Sequence, residues 1–215
     1  MKKLQLGRSM VEMLGVLAII GVLSVGAIAG YQKAMTKYRL NKHAQGFNIL
    51  LNNMIQHAPK LKGGGVKGGS DTVNGGYEHY GPLFDKLNLL PDGFKLSSST
   101  DVYDNLNNRI WIYKYADLDW IGMGIDIKPE SGKEICANIV RTAKENHADL
   151  RKIDLQSTDS NDNVSTGVGA LFGDKECGDD KKCLRDLKLA DIDALCNACD
   201  LNMKKCTVYV STYAY

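Results

Sequence analysis

The pattern of this chain first breaks at Met13: the eighteen residues from there to Gly30 carry no charge and a single hydroxyl, Ser24. As a helix rising roughly 1.5 Å per residue, that run spans about 27 Å, close to the hydrocarbon thickness of a bilayer. Past Gly30 the pattern turns amphipathic. Ala34, Tyr38, Phe47, Leu51, Met54, Ile55 and Ala58 recur near helical spacing among Lys33, Lys37, Arg39, Asn41 and Lys42. The spacing predicts one helix that continues out of the membrane until Pro59 stops it, followed by a flexible loop in the glycine-rich stretch from Lys62 to Ser70.

Farther on, the period changes to two. From Arg109 to Tyr115, Trp111, Tyr113 and Tyr115 fall on one face and Ile110 and Ile112 on the other, as in a half-buried strand. Ile121, Met123, Ile125 and Ile127 share a face of a second strand, and Asp117-Leu118-Asp119 is short enough to join the two as an antiparallel hairpin. After Pro129, Ser131 and Glu134 have the spacing of a capping box, and Ile135, Cys136, Ile139, Val140 and Ala143 form the apolar face of a helix. A last strand is expected from Thr207 to Ala214.

Charge gives the apolar run a direction. Lys2, Lys3 and Arg8 precede it, which by the positive-inside rule keeps the N-terminus in the cytoplasm and exports everything after Tyr31. The cysteines agree with export. All six lie between Cys136 and Cys206, and an exported domain matures where thiols oxidise, so three disulfides are expected among fifteen arithmetical pairings. With 27 basic and 25 acidic residues spread along the chain and no basic stripe, nucleic-acid binding is not expected.

An ordinary signal peptide has a shorter apolar stretch with a small-residue cleavage site after it; here a carboxylate, Glu12, stands at the entrance of a longer run. A carboxylate at that depth is costly unless paired, so it reads as functional. The segment Gly7-Arg8-Ser9-Met10-Val11-Glu12, followed at once by Met13 to Leu23, resembles the cleavage and methylation motif of type IV prepilins. In that family a prepilin peptidase cuts after a glycine, and the fifth residue of the mature chain is glutamate. Cleavage between Gly7 and Arg8 makes Glu12 the fifth mature residue. The resemblance implies that Arg8 is N-methylated and that Glu12 pairs with the N-terminal amine of a neighbouring subunit during assembly. Two charges in a low-dielectric setting attract strongly when paired, which favours one register between subunits. One departure stands out: Arg8 occupies a position that is usually apolar in the family, often Phe or Met. Small residues at Gly15, Ala18, Gly21, Gly26, Ala27 and Gly30 suit close helix approach, Gly26 and Gly30 at the four-residue spacing.

The order of long helix, sheet, cysteine-bearing helix, late cysteines and terminal strand is similar to the type IVb pilins, although the short leader is more like type IVa. In type IVb pilins a helix cysteine is bridged to one near the C-terminus. This implies Cys136 as one partner and Cys196, Cys199 or Cys206 as the other. The expected fold class is α+β: a long N-terminal helix, half transmembrane and half amphipathic, packed on an antiparallel β-sheet head with additional helices and disulfides. The expected organisation is a leader at 1–7, a transmembrane and filament-core helix at 8–30, its amphipathic continuation at 31–58, and a globular head at 59–215.

By resemblance the function is structural. The chain would be a bacterial inner-membrane precursor, cut by prepilin peptidase and built by pilus or secretion assembly machinery into a helical homo-oligomer, as an extracellular pilus or a periplasmic pseudopilus. A minor pilin or a type II secretion pseudopilin is the alternative in the same machinery. In another class, the alternative is a single-span membrane-anchored binding domain.

Residues that could carry chemistry do not converge. Cys177-x5-Cys183 and Cys196-x2-Cys199 with Cys206 could supply thiolates to zinc, but export favours disulfides, and no thioredoxin-like strand and helix surround Cys196 and Cys199. Asp159-Ser160-Asn161-Asp162-Asn163 imitates half of an EF-hand loop, yet Val164 replaces its glycine and Ala170 its bidentate glutamate. The glycine cluster lacks the order of a phosphate-binding loop. His43, His57, His79 and His147 fall in unrelated contexts, and no nucleophile has an identifiable base beside it. No catalytic residue, metal or cofactor is expected.

Overall fold

A single helix, α1 (Met10–His57), opens the computed structural model, which describes residues 10–61, 65–67, 76–97, 99–115, 117–158, 164–165, 170–200 and 203–214. The chain divides into two units, one through Arg39 and one from Leu40 onward. In the first unit the helix has no proline and satisfies its own polar groups. Ser24 Oγ donates to the Ile20 carbonyl at 2.7 Å, and Thr36 Oγ1 to that of Gln32 at 3.0 Å. Its best eighteen-residue window has a mean hydropathy of 2.4 with none of it buried, so the helix is long and apolar enough to cross a membrane.

The second unit begins with the C-terminal part of α1, which buries His43, Gly46, Phe47, Leu50, Leu51 and Met54. Their spacing of three and four residues makes one stripe. The stripe starts later than the sequence pattern suggests: Ala34 and Tyr38 are exposed, whereas Leu50, outside the predicted set, is fully buried. Pro59 lies in a 3-10 turn, Ala58–Lys60, that ends the helix.

Then follow β1 (Val66–Lys67), β2 (Tyr77–His79), α2 (Gly81–Lys86), β3 (Lys95–Leu96), β4 (Val102–Tyr103), β5 (Arg109–Tyr115) and β6 (Trp120–Ile127). The remainder comprises α3 (Gly132–Glu145), β7 (Leu150–Thr158), β8 (Val164–Ser165), β9 (Leu171–Phe172), β10 (Lys182–Cys183), α4 (Leu189–Cys196) and β11 (Lys205–Tyr213). The sheet runs β1-β2-β5-β6-β11-β7-β9-β10, with β4 pairing β5 and carrying β3, and β8 pairing β7. Its ladders are antiparallel except β9 with β10. The predicted hairpin is β5 and β6, in the register Ile110↔Ile125 and Ile112↔Met123. The last strand is not at an edge. β11 fills the centre, with Val208 opposite Ile125 on one side and Leu155 on the other.

Alternation sends Ile110, Ile112, Ile121, Met123, Ile125, Ile153, Leu155, Val208 and Val210 inward, where they share one core with the α1 stripe and with Ile135, Ile139, Val140 and Ala143 of α3. Two local expectations fail. Pro129 begins a 3-10 turn that takes up Ser131, so Ser131 makes no side-chain cap bond and the helix starts at Gly132 without a capping box. Within the glycine-rich stretch, Val66 and Lys67 pair with His79 and Glu78, so this part of the expected flexible loop is an edge strand.

Candidate functional site

Gly7 and Arg8, the cleavage and methylation positions, lie outside the described residues, as does the EF-hand-like stretch 159–163. Glu12 sits in the first turn of α1, where a carboxylate is favoured by the helix dipole, and it is exposed. Gly15, Gly21, Gly26 and Gly30 face open space, with no atom within 4 Å of where a Cβ would stand. From Met13 to Gly30 the helix thus presents apolar and small side chains on all sides, a surface compatible with a membrane span.

The six cysteines close three bridges: Cys136–Cys196, Cys177–Cys183 and Cys199–Cys206. The first ties α3 to α4 across 60 residues, with Cα atoms 5.6 Å apart and both cysteines fully buried. Of the three partners the resemblance allowed for Cys136, folding selects Cys196; Cys199 pairs instead with Cys206 at the start of β11. The thiolates a zinc site needs are therefore consumed. Among the described residues no three His, Cys, Asp or Glu side chains gather as metal ligands.

One buried polar pair lies where α1 meets the head. His43 Nε2 is 3.0 Å from Asp104 Oδ2, with both side chains almost wholly out of solvent. Asp104 Oδ1 accepts from the Leu106 and Asn108 amides and Oδ2 from Asn108 Nδ2, each at 2.8 Å. Burial works to raise the Asp104 carboxyl, yet the bonds from His43 and Asn108 and the electrostatic pull of His43 outweigh it and hold the group below the ordinary aspartate range. His43 had no recognisable signal beyond its helical position; its partner is 61 residues away in sequence.

On the side of the sheet away from the core, alternation brings aromatic residues together. The pairs Trp111–Tyr209, Tyr113–Trp120, Tyr115–Trp120 and Tyr77–Tyr115 meet edge to face with centroids 5.7 to 6.0 Å apart. Glycines make the packing possible. A Cβ at Gly122 would stand 2.8 Å from the Tyr113 ring, and one at Gly124 would strike Trp111. Cations cap the rings: Arg109 lies 5.0 Å from the Trp111 centroid and Arg151 5.6 Å from that of Trp120. Burial pushes the Tyr113 phenol well up, with Tyr115, Tyr209 and Asp154 adding to it, and raises Tyr209 by the same cause. His79 is lowered, chiefly by burial, with Asp101 acting against the shift and Arg109 with it. The sequence pattern placed Trp111, Tyr113 and Tyr115 on one face; Trp120 joins them across the predicted hairpin, and Tyr77 and Tyr209 through pairing of β2 with β5 and β11 with β6, for which sequence spacing carries no signal.

No family model matches the chain, and no similar protein is found among curated sequences or solved structures.

Proposed function

We propose that this chain is the precursor of a type IV pilin-like filament subunit. The observation that carries the reading is the division of α1: an unburied apolar segment of membrane-spanning length continues directly into a stripe built into a disulfide-bonded β-sheet head. A soluble domain has no use for the first part, and a simple membrane anchor needs no continuous helix joined to a core. The motif from Gly7 to Glu12 supplies the rest.

In this reading the precursor stands in the bacterial inner membrane with its head exported. Prepilin peptidase removes Met1 to Gly7, and the apolar helix then exchanges lipid for copies of itself in the filament core. Glu12 pairs with the amine of Arg8 in a neighbouring copy and sets the register, because a mispaired carboxylate in an apolar core costs several kcal/mol, roughly the scale of burying an ion. The protein acts by assembly and performs no catalysis. Its partners are its own copies, the peptidase, and the pilus or secretion machinery.

Intact mass and N-terminal sequencing after co-expression with a prepilin peptidase test the reading. The expected product begins at Arg8 and is lost in Gly7→Ala, while Glu12→Ala is cleaved but yields no filaments. A chain left intact beside a known prepilin that is cut would overturn the reading.

A further inference from the structure

Solvent-facing sheet surfaces are ordinarily polar; this one is aromatic, and glycine at 122 and 124 lets the rings settle against the sheet. The rings do not close over it completely. A groove of about 340 Å³ remains between β2, β5 and β11, walled by Tyr77, Trp111, Tyr115 and Tyr209 and bordered by Arg109 and Thr100. We propose that this groove binds a neutral saccharide.

Three features point to that chemistry. A sugar ring offers C–H bonds on its faces and hydroxyls around its rim, so it asks for aromatic surface below and both donors and acceptors beside it. The groove has both kinds of wall. Its phenols, those of Tyr113 and Tyr209 among them, carry hydroxyls that can each donate as well as accept. The volume lies at the small end for ligand sites, the scale of one or two sugar rings.

Charge separates a neutral ligand from the other occupants of an aromatic face. Arg109 Nε is 2.8 Å from Asp101 Oδ2, and its Nη1 is 3.6 Å from Asp126 Oδ2; Lys205 also meets Asp126, at 3.1 Å. The cations are thus answered by carboxylates within the same face. Single-stranded nucleic acid also stacks on aromatic rings, but it needs an unanswered positive groove along its phosphates. A wholly apolar partner would cover the hydroxyls of Tyr113 and Tyr209 and offer them no hydrogen bond in place of water. The inference does not depend on whether the chain forms filaments.

The test is simplified because the chain has two tryptophans, Trp111 and Trp120, and both lie on this face. Full-length protein in phosphatidylcholine nanodiscs, free of sugar-headed detergent, is titrated with lactose, cellobiose and diacetylchitobiose, and separately with an oligothymidylate. Tryptophan emission and saturation-transfer NMR are read. The expected result is saturable binding of at least one disaccharide, weakened about tenfold or more in Trp111→Ala by loss of the stacking surface. Tyr209→Phe, which removes one hydroxyl and keeps the ring, is expected to weaken it several-fold and decides the matter if Trp111→Ala does not fold. No response to any of the three disaccharides overturns the proposal, as does binding unaffected by Tyr209→Phe. Salt-sensitive binding of the oligothymidylate alone overturns it in favour of a nucleic-acid surface.

Discussion

Two parts of one helix meet opposite fates. From Met10 to Ile28 every large apolar side chain of α1 is more than half exposed, Val22 at 75% and Leu17 at 60%; from His43 to Met54 a single stripe is buried almost completely, Leu50, Leu51 and Met54 at 0%. The hydrogen-bonded backbone is the same in both. What differs is how the apolar residues are arranged around it. A helix apolar all round has no face to give to one neighbour and needs an apolar environment on every side, whereas a stripe asks for one partner surface and here finds the sheet. Apolarity tells that a surface will leave water; its distribution tells what will cover it.

The most forceful way to break this comparison is to place the same charge in each part. Leu51→Asp buries a carboxylate with no partner and is expected to unfold the head, a loss of about 4 kcal/mol or more, seen as collapse of the near-UV circular dichroism. Leu17→Asp should leave the unfolding free energy of the head in urea within about 0.5 kcal/mol of the parent. It should nevertheless release the protein from lipid vesicles, because a carboxylate at mid-span costs roughly 2.5 to 3.5 kcal/mol on insertion scales.

Removing a cross-link attacks the head and spares the first unit. Replacing Cys136 and Cys196 by serine opens a bridge between residues 60 apart in sequence and is expected to cost about 4 kcal/mol in urea unfolding. The same change at Cys177 and Cys183, six apart, should cost about 2 kcal/mol. Neither should alter the helical signal of the chain held in a bilayer below the unfolding transition.

The polar contact within the buried stripe sharpens the comparison further. Asp104→Ala leaves His43 buried beside an empty site and should cost about 3 kcal/mol. Its pH dependence has a definite sign. The carboxylate is favoured by folding, so its contribution is complete above its unfolded value near 3.8 and is lost as pH falls through the lower folded value. Asp104→Asn should flatten that part of the acid unfolding curve, as followed by fluorescence.

The smallest effect comes from glycine. A Cβ at Gly46 would lie 2.6 Å from Cε1 of Phe94, so Gly46→Ala should destabilise the head by roughly 1 to 3 kcal/mol. Gly30→Ala meets open space and should raise helicity, worth about 1 kcal/mol of propensity, in amide exchange of the bilayer-held chain.

Much of this architecture was legible before folding. The uncharged run from Met13 to Gly30, the stop at Pro59, the hairpin of Arg109 to Tyr115 with Ile121 to Ile127, and the apolar face from Ile135 to Ala143 all rest on short-range periodicity, which depends only on helical and strand geometry. The expected helix cap did not form at Ser131, because the proline two residues earlier imposed a turn of its own. The buried stripe on α1 was found only in part, since Phe47, Leu51, Met54 and Ala58 fit the period but Leu50 and His43 are chosen by the surface they meet.

Sequence by itself therefore determined α1, the β5–β6 hairpin, α3 and the last strand, and which side of the hairpin strands and of α3 is apolar, but not β7, α4 or the short strands. Tertiary structure alone decided that β11 lies between β6 and β7, that Cys136 meets Cys196, that Asp104 answers His43, and that Tyr77 and Tyr209 complete one aromatic face. The physical reason is distance along the chain. Periodicity is set by neighbours three or four residues away, whereas these contacts join residues tens of positions apart and exist only once the sheet has brought its strands into register.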